Sequence, residues 1–254
     1  MASATGIPQE HPDDVTASTS AAASRSREHE PLLGKPGDVT QSETVGIQNN
    51  LITGTASVAQ AGVWILAALT WSGIFSHDLN FFSPHPLLNS SAILLQTQAI
   101  LILQPTHTAK QKVLGTRIHF ATLVLSNAAF LAALIIIEIN KASHPESRFS
   151  SPHGILGLIT YILILLQALV GVSQYFFPRL LFGSVEKGKS IYKWHRVFGY
   201  FLLLLELVTV IAATRTAYNV NVLHIHLWAV IVASVLVLLG VGARAKIHKL
   251  PFGS

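Results

Sequence analysis

The chain has no cysteine, one methionine and few charges: Asp, Glu, Lys and Arg together make up 11% of its 254 residues, against about 25% in soluble globular domains. The missing cysteines exclude disulfides, thiolate metal sites, iron–sulfur clusters and covalently attached c-type haem. The shortage of charge, with half of the residues hydrophobic, excludes an ordinary soluble enzyme. Histidine is abundant instead, with 12 residues, as many as Asp and Glu combined. Metal chemistry in this chain must therefore run through histidine or carboxylate.

Residues 1–50 hold eleven Ser or Thr and seven acids (Glu10, Asp13, Asp14, Glu28, Glu30, Asp38, Glu43) against three bases, Arg25, Arg27 and Lys35. With little apolar surface to offset ordering entropy, this segment reads as a disordered acidic tail. It also lacks the basic start, apolar stretch and small-residue cleavage site of a secretory signal. Residues 51–254 hold 14 bases and five acids, so the net +5 resolves into a tail of −4 and a body of +9. A hydrophobic body of that charge points to a membrane domain with basic loops on one side and to no nucleic-acid partner.

The body divides into six apolar segments near 51–75, 86–104, 115–139, 153–177, 192–214 and 222–243, each of roughly the 20 residues needed to cross a hydrocarbon core. The expected fold is all-α and integral to a membrane, with six transmembrane helices. The second segment is interrupted by Asn89, Ser90, Ser91, Gln96, Thr97 and Gln98. Polar groups there are tolerated when they face other helices or a cofactor, which makes this the central helix of the bundle. Counting loop bases with the tail puts 14 on one side, against Lys141, Arg148 and Arg215 on the other. By the positive-inside rule both termini are cytoplasmic.

Histidines fall at matched depths. Ser83-Pro84-His85 opens the second helix and Ser151-Pro152-His153 the fourth, with Ser suited to the N-cap and Pro to the first helical position. In the third and fifth helices, Arg117-Ile118-His119 and Lys193-Trp194-His195 follow basic residues at the opposite face. Alternating helix direction sorts these into two layers, His85 with His153 and His119 with His195, roughly 20 Å apart. Two planar cofactors, one near each face, fit that arrangement. Imidazole is the usual axial ligand of haem iron, and iron ligated on both sides is suited to electron transfer. Gly154, Gly157 and Gly199 are expected to leave room for a porphyrin. A lone histidine near a helix end is ordinarily an interfacial group. Four at matched depths with paired local motifs are harder to ascribe to chance.

At these residues the chain resembles the eukaryotic cytochrome b561 family. Phe82-Ser83-Pro84-His85-Pro86-Leu87-Leu88 is similar to its F-S-x-H-P-L-L opening, and Ser151-Pro152-His153-Gly154 to its S-x-H-G motif. The resemblance implies a six-helix fold around a central four-helix dihaem bundle with two haem b groups. It also implies a transmembrane oxidoreductase taking electrons from cytosolic ascorbate and passing them to monodehydroascorbate or ferric chelates. In the family the second and fourth helices hold one haem and the third and fifth the other. The connection Gln104-Pro105-Thr106-His107-Thr108-Ala109-Lys110 departs from the aromatic and Arg-containing ascorbate motif and looks more like the divergent branch of D2-type domain proteins.

Ascorbate is an anion at neutral pH, so its site should offer cations near His119 and His195. The candidates are Lys110, Lys112, Arg117, Lys193 and Arg196, which equally serve to orient the helices. On the opposite face His144, Arg148, His224 and His226 are candidates for an acceptor or iron-chelate site. His224 and His226 sit about 200° apart if helical, which favours an interfacial role. Glu206, eleven residues after His195, points inward and is expected to be a structural acid hydrogen-bonded to the second helix near Gln96, in preference to a proton-transfer group. Glu28-His29-Glu30-Pro31-Leu32-Leu33 fits an acidic dileucine sorting signal and favours a vacuolar, lysosomal or other endomembrane. Small-residue contacts could support a homodimer. The competing readings are a haem-free proton-coupled transporter and a membrane scaffold protein.

Overall fold

A computed structural model describes residues 39–143, 145 and 148–251; the acidic tail up to residue 38, its dileucine motif and His144 lie outside them. The described residues are all-α and contain no strand. Six main helices run α1 (Ala56–Phe75), α2 (Pro84–Leu103), α3 (Ala109–Ala142), α4 (Pro152–Phe176), α5 (Val185–Ala213) and α6 (Leu227–Gly242). Among these residues α1 to α5 are long and apolar enough to cross a membrane, while α6 has 16 residues, or about 24 Å of rise.

Local capping explains where the helices depart from the apolar segments. α3 begins at Ala109, before its apolar run, because Thr108 and Gln111 form a reciprocal capping box, which satisfies two backbone donors that the first turn leaves free. α5 likewise starts early, with Ser184 accepting from the amide of Lys187. Of the two Ser-Pro openings, Ser151 caps α4 through the amide of Gly154. Ser83 makes no cap bond; its hydroxyl accepts from the amide of Asn80, whose side-chain oxygen takes the amides of Phe82 and Ser83. The sixth helix starts at Leu227 instead of residue 222. The Asn219 side chain bonds Thr214 and Ile225, closing a π-turn over Asn219–Leu223 and leaving His224 at φ 51°.

Three antiparallel pairs pack most intimately: α2 with α3, α4 with α5, and α1 with α6. In the last, Gly62 and Gly240 sit so close to the partner backbone that an added Cβ would strike Ala233 O at 2.6 Å or the Ala59 amide, the small-residue packing that membrane helices use in place of a hydrophobic drive. α2 lies at the centre, and its polar residues meet neighbouring helices. Gln98 and Gln60 of α1 exchange amide bonds at 2.6 and 3.0 Å. The Trp71 indole donates to Ser90, Tyr161 of α4 to Asn89, and Gln104 to the Tyr200 hydroxyl of α5. At one end Arg244, 1% exposed, ties the chain together by donating to the carbonyls of Asn50 and Leu101. Burial draws its guanidinium down to about 10, so it stays charged at neutral pH.

Candidate functional site

His85 and His153 come together. Their ring centroids are 6.4 Å apart and their planes cross at 83°. Two imidazoles bound on opposite sides of one first-row metal ion, each through a nitrogen about 2.0–2.1 Å away, place their centroids about 6.3 Å apart. In the other layer His119 faces the carbonyl of Ala99 and the His195 ring lies against Gly171. Among the described residues no three His, Asp or Glu converge on a metal site, so a metal held by His85 and His153 would take its remaining ligands from outside the side chains of the site.

The rings are oriented by backbone carbonyls. Nδ1–H of His85 donates to Ala133 O, that of His119 to Ala99 O and that of His153 to Thr209 O, each at 3.0 Å. A carbonyl can only accept, so each bond sets the tautomer in which Nε2 carries the free lone pair that a metal needs. His195 is the exception: its Nδ1 is buried without a partner among the described residues, and Gln167 donates to its main-chain carbonyl at 2.7 Å.

One spacing recurs on all four helices. His85 precedes Ala99 by the same interval as His119 precedes Ala133, His153 precedes Gln167 and His195 precedes Thr209. That interval is close to four helical turns, about 21 Å of rise. Each helix thus carries a histidine for one layer and, four turns on, the group that addresses the histidine of its paired helix in the other layer. α2 and α3 hold each other in this way, as do α4 and α5. Between these two pairs the backbones scarcely meet.

The glycines refine the expectation of room for a ring. A Cβ at Gly157 would meet only Thr209 Cγ2, at 4.0 Å, so that surface is open. At Gly199 a Cβ would approach the end of the flexible Gln167 side chain at 3.1 Å. Gly171 was not anticipated, and there a Cβ would come within 3.0 Å of His195 Cε1; only its position about one and a half turns from the end of α4 could have drawn attention to it.

The sequence-nominated bases lie at the His119 and His195 end. Lys110, Lys112, Arg117 and Lys193 are exposed, while Arg196 is half-buried and donates to Lys249 O at 2.6 Å. Lys249 joins this group: burial, then repulsion from Lys246, Lys112 and Arg196, holds its ammonium below the ordinary lysine range. At the other end, Arg148 pairs with Glu138 at 2.7 Å on the surface. His224 and His226 precede α6 and are not part of it, so the helical-wheel argument against their cooperation does not apply. Both line a cavity of about 300 Å³ with Arg215 and Asn219. A second cavity of about 390 Å³ is walled by Asn80, Phe82, Lys141 and Tyr218, and Phe82 stacks on the His85 ring at 5.3 Å.

The family model for eukaryotic cytochrome b561 matches residues 84–219, which run from the first helix position of α2 through α5 and contain all four histidines. A curated rice protein (Oryza sativa subsp. japonica) described as probable ascorbate-specific transmembrane electron transporter 1 is 33% identical over 136 residues, covering 50% of this chain and 53% of that relative. The chain thus matches about half the length of that relative. With a family match over more than half of its residues and five helices fit to cross a membrane, the chain is a multi-pass integral membrane protein and belongs to the eukaryotic cytochrome b561 family.

Proposed function

We propose that the chain carries electrons across a membrane through two b-type haems, one held by His85 and His153 and the other by His119 and His195. The donor is ascorbate, and the acceptor is monodehydroascorbate or a ferric chelate on the opposite side. The observation that carries this reading is the 6.4 Å separation of the His85 and His153 rings, the span of two axial imidazoles, supported by the carbonyl-set tautomers. When bound, each haem would supply a one-electron iron centre, held by the two histidines of its layer.

The residues do the remaining work. Ala133, Thr209 and Ala99 hold three rings through their carbonyls, which keeps reorganisation small. Apolar faces of α2 to α5 exclude water between the layers. We read α6 as a sixth span paired with α1, and the helices α2 to α5 as the central four-helix bundle. The basic end, with Lys110, Lys112, Arg117, Lys193, Arg196 and Lys249, we place in the cytosol, where it attracts the ascorbate anion. At the far end, the cavity beside Phe82 gives a small acceptor a place next to the His85 ring. The name of the rice relative supports ascorbate as donor. An endomembrane location rests on the dileucine pattern Glu28 to Leu33.

The test is vectorial. The protein is reconstituted into sealed vesicles loaded with ferricyanide, and ascorbate is added outside. Ferricyanide bleaching that requires the protein supports the reading, whereas haem-loaded vesicles that pass no electrons would exclude it.

A further inference from the structure

Glu206 is a buried titratable group that the carrier reading does not use. It lies on the inner face of α5 with 2% of its surface exposed. Gln96 of α2 donates to its Oε2 at 2.9 Å, while Oε1 is buried with no partner among the described residues. An acid with a purely structural task would be expected to engage both oxygens. This one is half satisfied at the centre of the bundle.

Its position relates it to both histidine layers. Glu206 stands one turn before Thr209, whose carbonyl receives His153, and Gln96 stands one turn before Ala99, whose carbonyl receives His119. The Gln96–Glu206 bond therefore joins the turns that orient one ligand in each layer.

Among the described residues no permanent cation answers the carboxylate: the buried Arg244 donates instead to the carbonyls of Asn50 and Leu101. α1 and α6 carry no Asp, Glu, Lys, Arg, His or Tyr. The titratable group of α2 is His85, and those of α4 are His153, Tyr161 and Tyr175. On α3 the charged groups lie towards the ends: Lys110, Lys112, Arg117 and His119 at one, Glu138 and Lys141 at the other. α5 itself offers His195, Arg196 and Tyr200 two to three turns away, with Glu186, Lys187, Lys189, Tyr192 and Lys193 beyond them. Of the tyrosines, Tyr161 is bonded to Asn89 and Tyr200 to Gln104.

We propose that Glu206 is a redox-linked proton site set between the two histidine layers, with Gln96 as its positioning partner. This rests on the dihaem reading above. An uncompensated carboxylate in the bundle is costly, and the charges able to compensate it are those of the oxidised centres. With haem bound, one electron taken from the donor would remove one positive charge from a layer. One proton from the aqueous phase then binds Oε1, forming an O–H bond. When the electron leaves for the acceptor, that O–H bond breaks and the proton returns, so electron and proton balance one to one.

The experiment is a spectroelectrochemical titration of the full haem-loaded chain at a series of pH values, for wild type, Glu206→Gln and Glu206→Asp. In the wild type the reduction equilibrium of at least one centre changes with pH, by up to about tenfold per pH unit at full coupling. Glu206→Gln abolishes that dependence with haem content unchanged, and Glu206→Asp retains it. A wild-type dependence that persists unchanged in Glu206→Gln would overturn the proposal, as would a flat wild type. Should Glu206→Gln fail to assemble, the reduced-minus-oxidised infrared spectrum of the wild type decides. A protonated-carboxyl C=O band supports the proposal when Gln96→Leu shifts it, and its absence or insensitivity overturns it. A chain that binds no haem contradicts the carrier reading itself, a distinct outcome.

Discussion

The imidazoles of His85 and His153 face each other across 6.4 Å with their planes crossed at 83°, although 68 positions separate them in the chain. Each ring is held from behind by a carbonyl of its paired helix, Ala133 for His85 and Thr209 for His153. Removing either ring leaves the other without its counterpart and the second layer untouched. His85→Ala or His153→Ala should therefore lower haem content to about one per chain, and His119→Ala or His195→Ala should remove the other one. Pyridine haemochromogen assay of the purified variants measures this; two haems retained in any of the four variants would break the pairing.

Gly171 gives a finer test of the second layer. A side chain there must enter space within 3.0 Å of His195 Cε1, and among the described residues His195 has no Nδ1 partner to hold its ring in place. Gly171→Val should displace that ring and deplete the same haem as His195→Ala, by at least half. Gly199→Ala, which presses on a flexible Gln167 amide, should do much less. Comparison of haem stoichiometry between the two variants checks the difference.

The meeting of His85 with His153 was legible because alternating helix direction and the repeated Ser-Pro-His put both at one depth. The Gln96 partner of Glu206 was legible for a similar reason, since about 100° of helical turn per residue places position 206 on nearly the same face as His195. The groups that orient the rings were not. Ala133, Ala99 and Thr209 act through their carbonyls, and a backbone oxygen leaves no mark on residue identity. The early starts of α3 and α5 were missed because hydropathy registers the apolar span and overlooks the caps at Thr108 and Ser184. The late start of α6 follows from one side chain, Asn219, whose bonds to Thr214 and Ile225 no periodicity reveals.

The α1 and α6 pair should be sensitive to volume. Gly62→Leu or Gly240→Leu forces bulk into the backbone of the facing helix; overpacking of this kind costs about 1–3 kcal/mol. Thermal unfolding in detergent should fall accordingly, while both midpoint potentials stay where they are, because neither glycine approaches a histidine. A shift in potential without loss of stability would contradict the assignment of this pair to scaffolding.

The basic end should govern donor affinity. Lys112→Ala and Lys249→Ala should each raise the KM for ascorbate severalfold and weaken its dependence on ionic strength, with kcat and haem content little changed. Burial, then Lys246, Lys112 and Arg196, keep Lys249 below the ordinary lysine range. A lowered cation loses its proton earlier as pH rises, so the wild-type KM should climb at alkaline pH before an ordinary lysine would titrate, and Lys249→Ala should flatten that climb. Steady-state kinetics over pH and salt provides the measurement.

The central claim is that the four histidines hold two non-covalent haems which ascorbate can reduce. Its most direct test is the reduced-minus-oxidised absorption spectrum of the purified full chain, expressed with ample haem and reduced by ascorbate alone, alongside its haem-to-protein ratio. The account requires b-type bands from two haems per chain, at least one of them reducible by ascorbate. A folded, colourless protein would contradict it.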